Sequence, residues 1–164
     1  MQKPSPSHRL LTLAALLAAL PAAAAPNNIT DLGTPKSDNS GNSFALAISA
    51  DGSVVVGSIN HRFSSGKDAR AIVWSGSGWQ TKTDLGTLKA DNSGWAHASA
   101  ISDDGSVVVG EAVGDNAVRN AVVWSGSGWS TKTDLNLSHN SRSTRSSIAH
   151  AVSGNGSVVV GEAF

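Results

Sequence analysis

The chain has 164 residues, no Cys, 17 Gly and 15% charged residues, a size that fits one small domain or part of a larger one. Lys and Arg total 12, and Asp and Glu total 12, so there is no basic field to hold nucleic acid and no acidic block to act as a solvating tail. Without disulfides, an apolar core and backbone pairing must hold the fold.

The first 25 residues differ from the rest. Lys3, His8 and Arg9 make a weakly basic start, Leu10 to Leu20 is apolar apart from Thr12, and Pro21 precedes Ala22 to Ala25. This is the layout of a secretory signal peptide, predicted as a helix that is removed after Ala25. The apolar run is shorter than the roughly 18 residues that span a bilayer, which disfavours a retained membrane anchor. Export is the expectation, to the periplasm, the cell surface or the medium. The absence of Cys also suits a passenger that crosses an outer membrane unfolded.

Beyond residue 25 the chain repeats itself. Asp31-Leu32-Gly33-Thr34 returns as Asp84-Leu85-Gly86-Thr87 and weakly as Asp134-Leu135-Asn136. The separations are 53 and 50 residues. Asp51 to Gly57 returns as Asp104 to Gly110 and as Asn155 to Gly161, and Trp74 to Trp79 returns as Trp124 to Trp129. The copies divide as residues 26–82, 83–132 and a partial third at 133–164.

Each full copy predicts four strands. In the first copy they are Phe44 to Ser49, Ser53 to Ile59, Arg70 to Trp74 and Trp79 to Leu85. Asp51-Gly52 signals a two-residue hairpin turn, because Gly accepts the positive φ such turns require. The Val54-Val55-Val56 run predicts burial on both faces. Ser75 to Gly78 reads as a four-residue turn that sets Trp74 and Trp79 opposite each other across a hairpin. The polar stretch Gln80 to Thr83 predicts an edge strand. No helical period follows residue 25.

The fold class is therefore all-β. Copies of about 50 residues and four antiparallel strands predict propeller-like repeats, with a β-solenoid or sandwich as the alternative. A propeller needs at least about four blades, so the ring is expected to be incomplete. The third copy stops inside its second strand, which reads as truncation of a longer protein. The edge at Ser157 to Phe164 would then be unpaired, apolar and open to self-association.

The recurring residues mostly have structural explanations. Four of the five Trp flank the Ser-Gly-Ser-Gly turns and are expected to cover the core, with sugar stacking as the alternative. Trp95 breaks the pattern, since Asn42 holds its place in the first copy. It is the candidate surface-contact residue. Asp38 to Gly41 and Asp91 to Gly94 supply too few carboxylates for calcium and read as Asx turns. His61, His97, His139 and His150 show no metal-ligand spacing. Asn140 to Ser147, with Arg142 and Arg145, reads as a polar loop or a small anion site. No nucleophile elbow occurs between a strand and a helix. The expected catalytic, metal and cofactor sites are none.

Several motifs resemble the HAF-type extracellular repeats. They are Asp84 to Leu88, Ala100-Ile101-Ser102, Asp104 to Gly110 and Ala121 to Ser125, and the resemblance runs from about Ile29 to Phe164. The His-Ala-Phe of that family reads Arg70-Ala71-Ile72 and Asn120-Ala121-Val122 here, so Ala is kept while His and Phe are lost. The resemblance implies an autotransporter passenger region and brings no catalytic residue.

The leading functional expectation is a surface interaction or adhesion module that meets a host or cell-surface ligand. The second is a carbohydrate-binding, lectin-like propeller that uses its Trp residues. A glycosidase would need paired carboxylates; Asp84, Asp104 and Glu111 are available, but turn chemistry already explains the first two. The remaining reading is a product with no independent function.

Overall fold

The computed structural model describes residues 29–59, 69–115, 117–135 and 146–164. The predicted signal peptide, His61, His139, Arg142 and Arg145 lie outside them. The compact unit Asp31–Phe164 is all-β, with three antiparallel sheets. The first contains β1 (Ser43–Ile48), β2 (Val55–Ile59), β3 (Arg70–Ser75) and β4 (Thr81–Asp84). The second contains β5 (Ala96–Ile101), β6 (Val108–Val113), β7 (Arg119–Ser125) and β8 (Thr131–Asp134). The third is the pair β9 (Ser147–Val152) and β10 (Val159–Ala163). Both four-stranded sheets keep the order of the chain. Among the described residues, no closed barrel or ring forms, and no helix is long and apolar enough to cross a membrane.

The Val runs explain why the sheets stack. Successive strand residues point to opposite faces, so adjacent Val side chains serve two interfaces. Val56, Ala71 and Val73 of the first sheet share a core with Ala98, Val108, Val122 and Trp124 of the second. The other face of the second sheet sends Val109 and Ala121 against Ala149 of the third. Val55, Ile72 and Trp74 form a separate cluster with Leu32 and Trp79 on the outer face of the first sheet. Burial on both faces is therefore realised at Val55–Val56 and at Val108–Val109.

The glycine that ends each Val run is required by a bulge. The β1–β2 register shifts between Ala45 and Ala47, and the β5–β6 register between Ala98 and Ala100. At each shift the backbones close up. A Cβ on Gly57 would overlap the carbonyl oxygen of Phe44, and one on Gly110 that of His97. The third copy repeats this at Gly161 and Ile148.

The turns at Asp51-Gly52 and its copies are longer than the sequence suggests. Ser49 N–H bonds to the Val54 carbonyl and Gly52 N–H to the Ser49 carbonyl, both at 2.9 Å. Four residues thus lie inside the Ser49–Val54 pair, and only Gly52, at φ 73°, is left-handed. This matches a type I turn with Gly in its fourth position, not a two-residue type I′ turn. The Asp side chain completes it: Asp51 Oδ1 accepts from Ser49 Oγ at 2.7 Å, Ser53 N at 2.9 Å and Ser53 Oγ at 2.8 Å. These bonds hold the Asp51 and Asp104 carboxyls down at about 2, with the Ser49 and Ser102 hydroxyls as the largest cause.

The same turns join the sheets. Ala50 N–H donates to the Asp103 carbonyl and Asp103 N–H to the Gly154 carbonyl, each at 2.9 Å. The three residues hold equivalent places in the three copies, so the bonds form a ladder along the stack.

The Trp hairpin also departs from expectation. Trp74 pairs with Lys82, not with Trp79. Trp79 sits in a short 3-10 turn (Ser77–Trp79), at φ 56°. The residue facing Trp74 thus lies three positions beyond Trp79. Trp79 Nε1 donates to the Gly52 carbonyl at 3.1 Å, and Trp129 does the same to Gly105 at 2.9 Å. The second Trp of each pair therefore pins the β1–β2 or β5–β6 turn of its own sheet. The polar β4 and β8 pair on one side only, with β3 and β7, as their composition predicts for edges.

Candidate functional site

Trp95 lies one residue before β5 and is half-buried. Its ring runs nearly parallel to that of His97, with centroids 6.0 Å apart and 10° between planes. The Arg119 guanidinium stands over the Trp95 ring, 5.3 Å from its centroid, a distance at which the ring quadrupole attracts a cation. Three neighbouring strands build this group. His97 on β5 is the register partner of Glu111 on β6, and Arg119 opens β7.

Glu111 is the unusual member. Its side chain is 9% exposed, and its Oε2 lies 3.6 Å from Arg119 Nη1, beyond good hydrogen-bond distance. That buried oxygen has no hydrogen-bond partner. Burial pushes the Glu111 carboxyl up from its ordinary value, while the charges of Arg119 and His150 oppose the shift. A second pair, His150 Nε2 with Glu162 Oε1 at 3.0 Å, lies exposed on the third sheet.

The copies differ most sharply here. At the places of Trp95, His97, Glu111 and Arg119 the first copy has Asn42, Phe44, Ser58 and Ala69. The registers agree, since Phe44 pairs with Ser58 as His97 pairs with Glu111. One scaffold thus carries an aromatic, a cation and a buried carboxylate in the second copy and none of these charges in the first.

A larger cleft, about 440 Å³, is lined by Arg70, Asp84, Asn92, Trp129 and Lys132 among others. Its charged groups are engaged by the chain itself. Arg70 bonds both Asp84 oxygens, at 2.9 and 3.0 Å. Its Nη1 also donates to the carbonyls of Asn92 at 2.6 Å and Gly94 at 3.0 Å. Lys132 Nζ donates to the Thr87 carbonyl at 2.9 Å and to Asn92 Oδ1. Burial, then repulsion from Arg70, lowers the Lys132 pKa. These contacts clamp the segment between β4 and β5. In the second copy Asn120 takes the role of Arg70 and donates to Asp134 at 3.0 Å.

The other sequence candidates are structural. Asp38 and Asp91 form the predicted Asx turns, accepting from Ser40 N at 3.0 Å and Ser93 N at 2.8 Å. Asp84 belongs to the Arg70 clamp and Asp104 to its turn. Among the described residues, no group of three His, Cys, Asp or Glu could hold a metal ion. The structure brings His97, Glu111 and Arg119 to Trp95. The signal that finds them is difference between aligned copies, whereas a search for repeats rewards identity. Neither protein-family models nor curated proteins gave a match to this chain.

Proposed function

We propose that the chain is an exported, propeller-like module of HAF-type extracellular repeats, a passenger segment of an autotransporter that serves surface interaction or adhesion. The observation that carries this reading is the Trp95–His97–Glu111–Arg119 group, built at one place on a scaffold that otherwise repeats. Function is commonly grafted onto a fold in this way. Support for a propeller-like arrangement comes from sheets stacked face to face in chain order, each a simple antiparallel meander. Export rests on the composition of residues 1–25.

Binding fits the group better than catalysis does. Asp84 and Asp104 are committed to structural bonds, and Glu162, the carboxylate whose charge adds to the upward shift of Glu111, is held by His150, so the pair that glycoside hydrolysis requires is engaged within the chain. The test is binding of the exported protein to cell surfaces, with Trp95→Ala and Arg119→Ala compared against the parent. Loss of adhesion in both variants, with unchanged thermal midpoints, is the expected result. Unchanged adhesion would overturn the assignment, and turnover on a glycoside panel would overturn the non-catalytic reading.

A carbohydrate ligand is the second reading. It is favoured by a half-buried Trp95 ring stacked with His97 and by the half-exposed Arg119 guanidinium over it, an aromatic face next to a hydrogen-bond donor. Glycan-array binding that disappears in Trp95→Ala would establish it.

A further inference from the structure

The cleft of about 440 Å³ lies well inside the chain, where the first two copies meet. Arg70 of β3 and Asp84 of β4 come from the first sheet, and Lys132 of β8 comes from the second. Trp129 and Ser130 reach it from the turn before β8, and Asn92 from the segment between β4 and β5. Its size falls within the range of small-molecule sites, roughly 300–1,000 Å³.

The clamp on that segment does not exhaust its own donors. A guanidinium carries five N–H groups and an ammonium three. Arg70 uses four of them, two on Asp84 and two on backbone carbonyls. Lys132 uses two, on the Thr87 carbonyl and Asn92 Oδ1. Each cation therefore keeps one N–H. The charges do not balance either. Asp84 is paired with Arg70 at 2.9 Å, while both acceptors of Lys132 are neutral oxygens. Burial and repulsion from Arg70 outweigh the attraction of Asp84 on the Lys132 ammonium. An anion in the cleft would offset both.

The other lining groups suit the rest of a ligand. Trp129 is half-buried, so part of its indole stays open at the cleft. Asp84 is 45% exposed, and its Oδ2 accepts a bond from Arg70 alone, which leaves room for a hydroxyl donor. Asn92 and Ser130 add an amide and a hydroxyl. An aromatic surface edged by a few donors and acceptors matches a pyranose, whose C–H face is apolar and whose rim is polar.

We propose that this cleft binds an acidic monosaccharide, with its oxyanion between Lys132 and Arg70 and its ring against Trp129. The site shares no residue with the Trp95 group and goes beyond the adhesion reading, which stands or falls separately.

The test titrates the full chain by calorimetry with D-glucuronate, glucose 6-phosphate, glucose and acetate. The first two present a carboxylate and a phosphate on the same ring; the last two lack the charge or the ring. The expected result is saturable binding of at least one acidic sugar, about tenfold tighter or more than glucose or acetate, and the tighter of the two identifies the oxyanion. Lys132→Gln should weaken that binding about tenfold or more, as for removal of one partner of a charge pair. Lys132→Arg, which keeps the charge, should retain it. Ser130→Tyr adds bulk at the cleft without touching the clamp, and Gln80 at this place in the first copy shows that the turn accepts a longer side chain. It should abolish binding at an unchanged thermal midpoint, and it decides the matter if Lys132→Gln fails to fold. Silence from both acidic sugars would overturn the proposal. So would equal binding of glucose or acetate, undiminished affinity in Ser130→Tyr, or loss of the sugar in Trp95→Ala, which would place the ligand at the Trp95 group instead.

Discussion

The α-carbon of Gly110 faces the carbonyl of His97 with no space for a Cβ between them. This contact sits where the β5–β6 register slips by one residue, and it gives the glycine of each Val-Val-Val-Gly run its reason. Gly110→Ala must push two paired backbones apart, and overpacking of this kind costs about 1–3 kcal/mol. Urea denaturation should show a lower midpoint for Gly110→Ala and Gly57→Ala. A midpoint equal to the parent would remove the bulge from the account.

Trp74 and Trp124 are both fully buried, yet they differ in one bond. Trp74 Nε1 donates to the Gly33 carbonyl at 3.2 Å, while Trp124 Nε1 has no partner. Substitution by Phe removes a similar volume from each. Only Trp74→Phe also loses a hydrogen bond and leaves a carbonyl short of its donor. Trp74→Phe should be the more destabilising by about 1 kcal/mol, read from paired denaturation curves.

Glu111 has its carboxyl raised by burial from an ordinary value of 4.5. The folded state therefore holds its proton more tightly than the unfolded chain does. Stability falls as pH rises from about 4.5 through the raised folded value, and below 4.5 this penalty is absent. Glu111→Gln should flatten that part of the pH–stability profile and match or exceed the parent at neutral pH. A parallel profile for the variant would show that Glu111 does not titrate in this window.

Asp51 and Asp104 behave in the opposite sense. Each titrates from 3.8 unfolded to about 2 folded. The stability they add is present above 3.8 and disappears as pH falls through about 2. Asn155 already makes the same turn in the third copy, accepting from Ser153 Oγ at 2.8 Å, Ser157 N at 3.1 Å and Ser157 Oγ at 2.7 Å. Asp104→Asn should thus leave the thermal midpoint at neutral pH nearly unchanged and weaken the acid dependence. Asp104→Ala, which accepts none of these bonds, should lower it by a few degrees.

Much of the architecture is legible in the chain. The Val runs announce burial on both faces because only a sheet packed on two sides accepts adjacent apolar residues. The strand limits at Ile59 and Arg70 and the polar edges β4 and β8 follow from similar patterns. The turns were less legible. Asp-Gly fits more than one turn type, and the choice here depends on the Ser49 hydroxyl reaching Asp51. The position of Trp79 depends on a left-handed backbone at a bulky residue, which no propensity favours. The site was the least legible part. Arg119 stands 24 residues from Trp95 in the chain, and only the pairing of β5, β6 and β7 brings them together.

The bonds from Ala50 to Asp103 to Gly154 fix the spacing of the copies at one end of the strands. At the far end the same register closes with different amounts of chain: Ile59 pairs with Arg70, whereas Ala112 pairs with Asn120, three fewer residues apart. One end thus works as a ruler and the other as slack. Sequence inserted at the β6–β7 connection should leave the sheets where they are, so that end is where new contacts can be added without redesigning the stack.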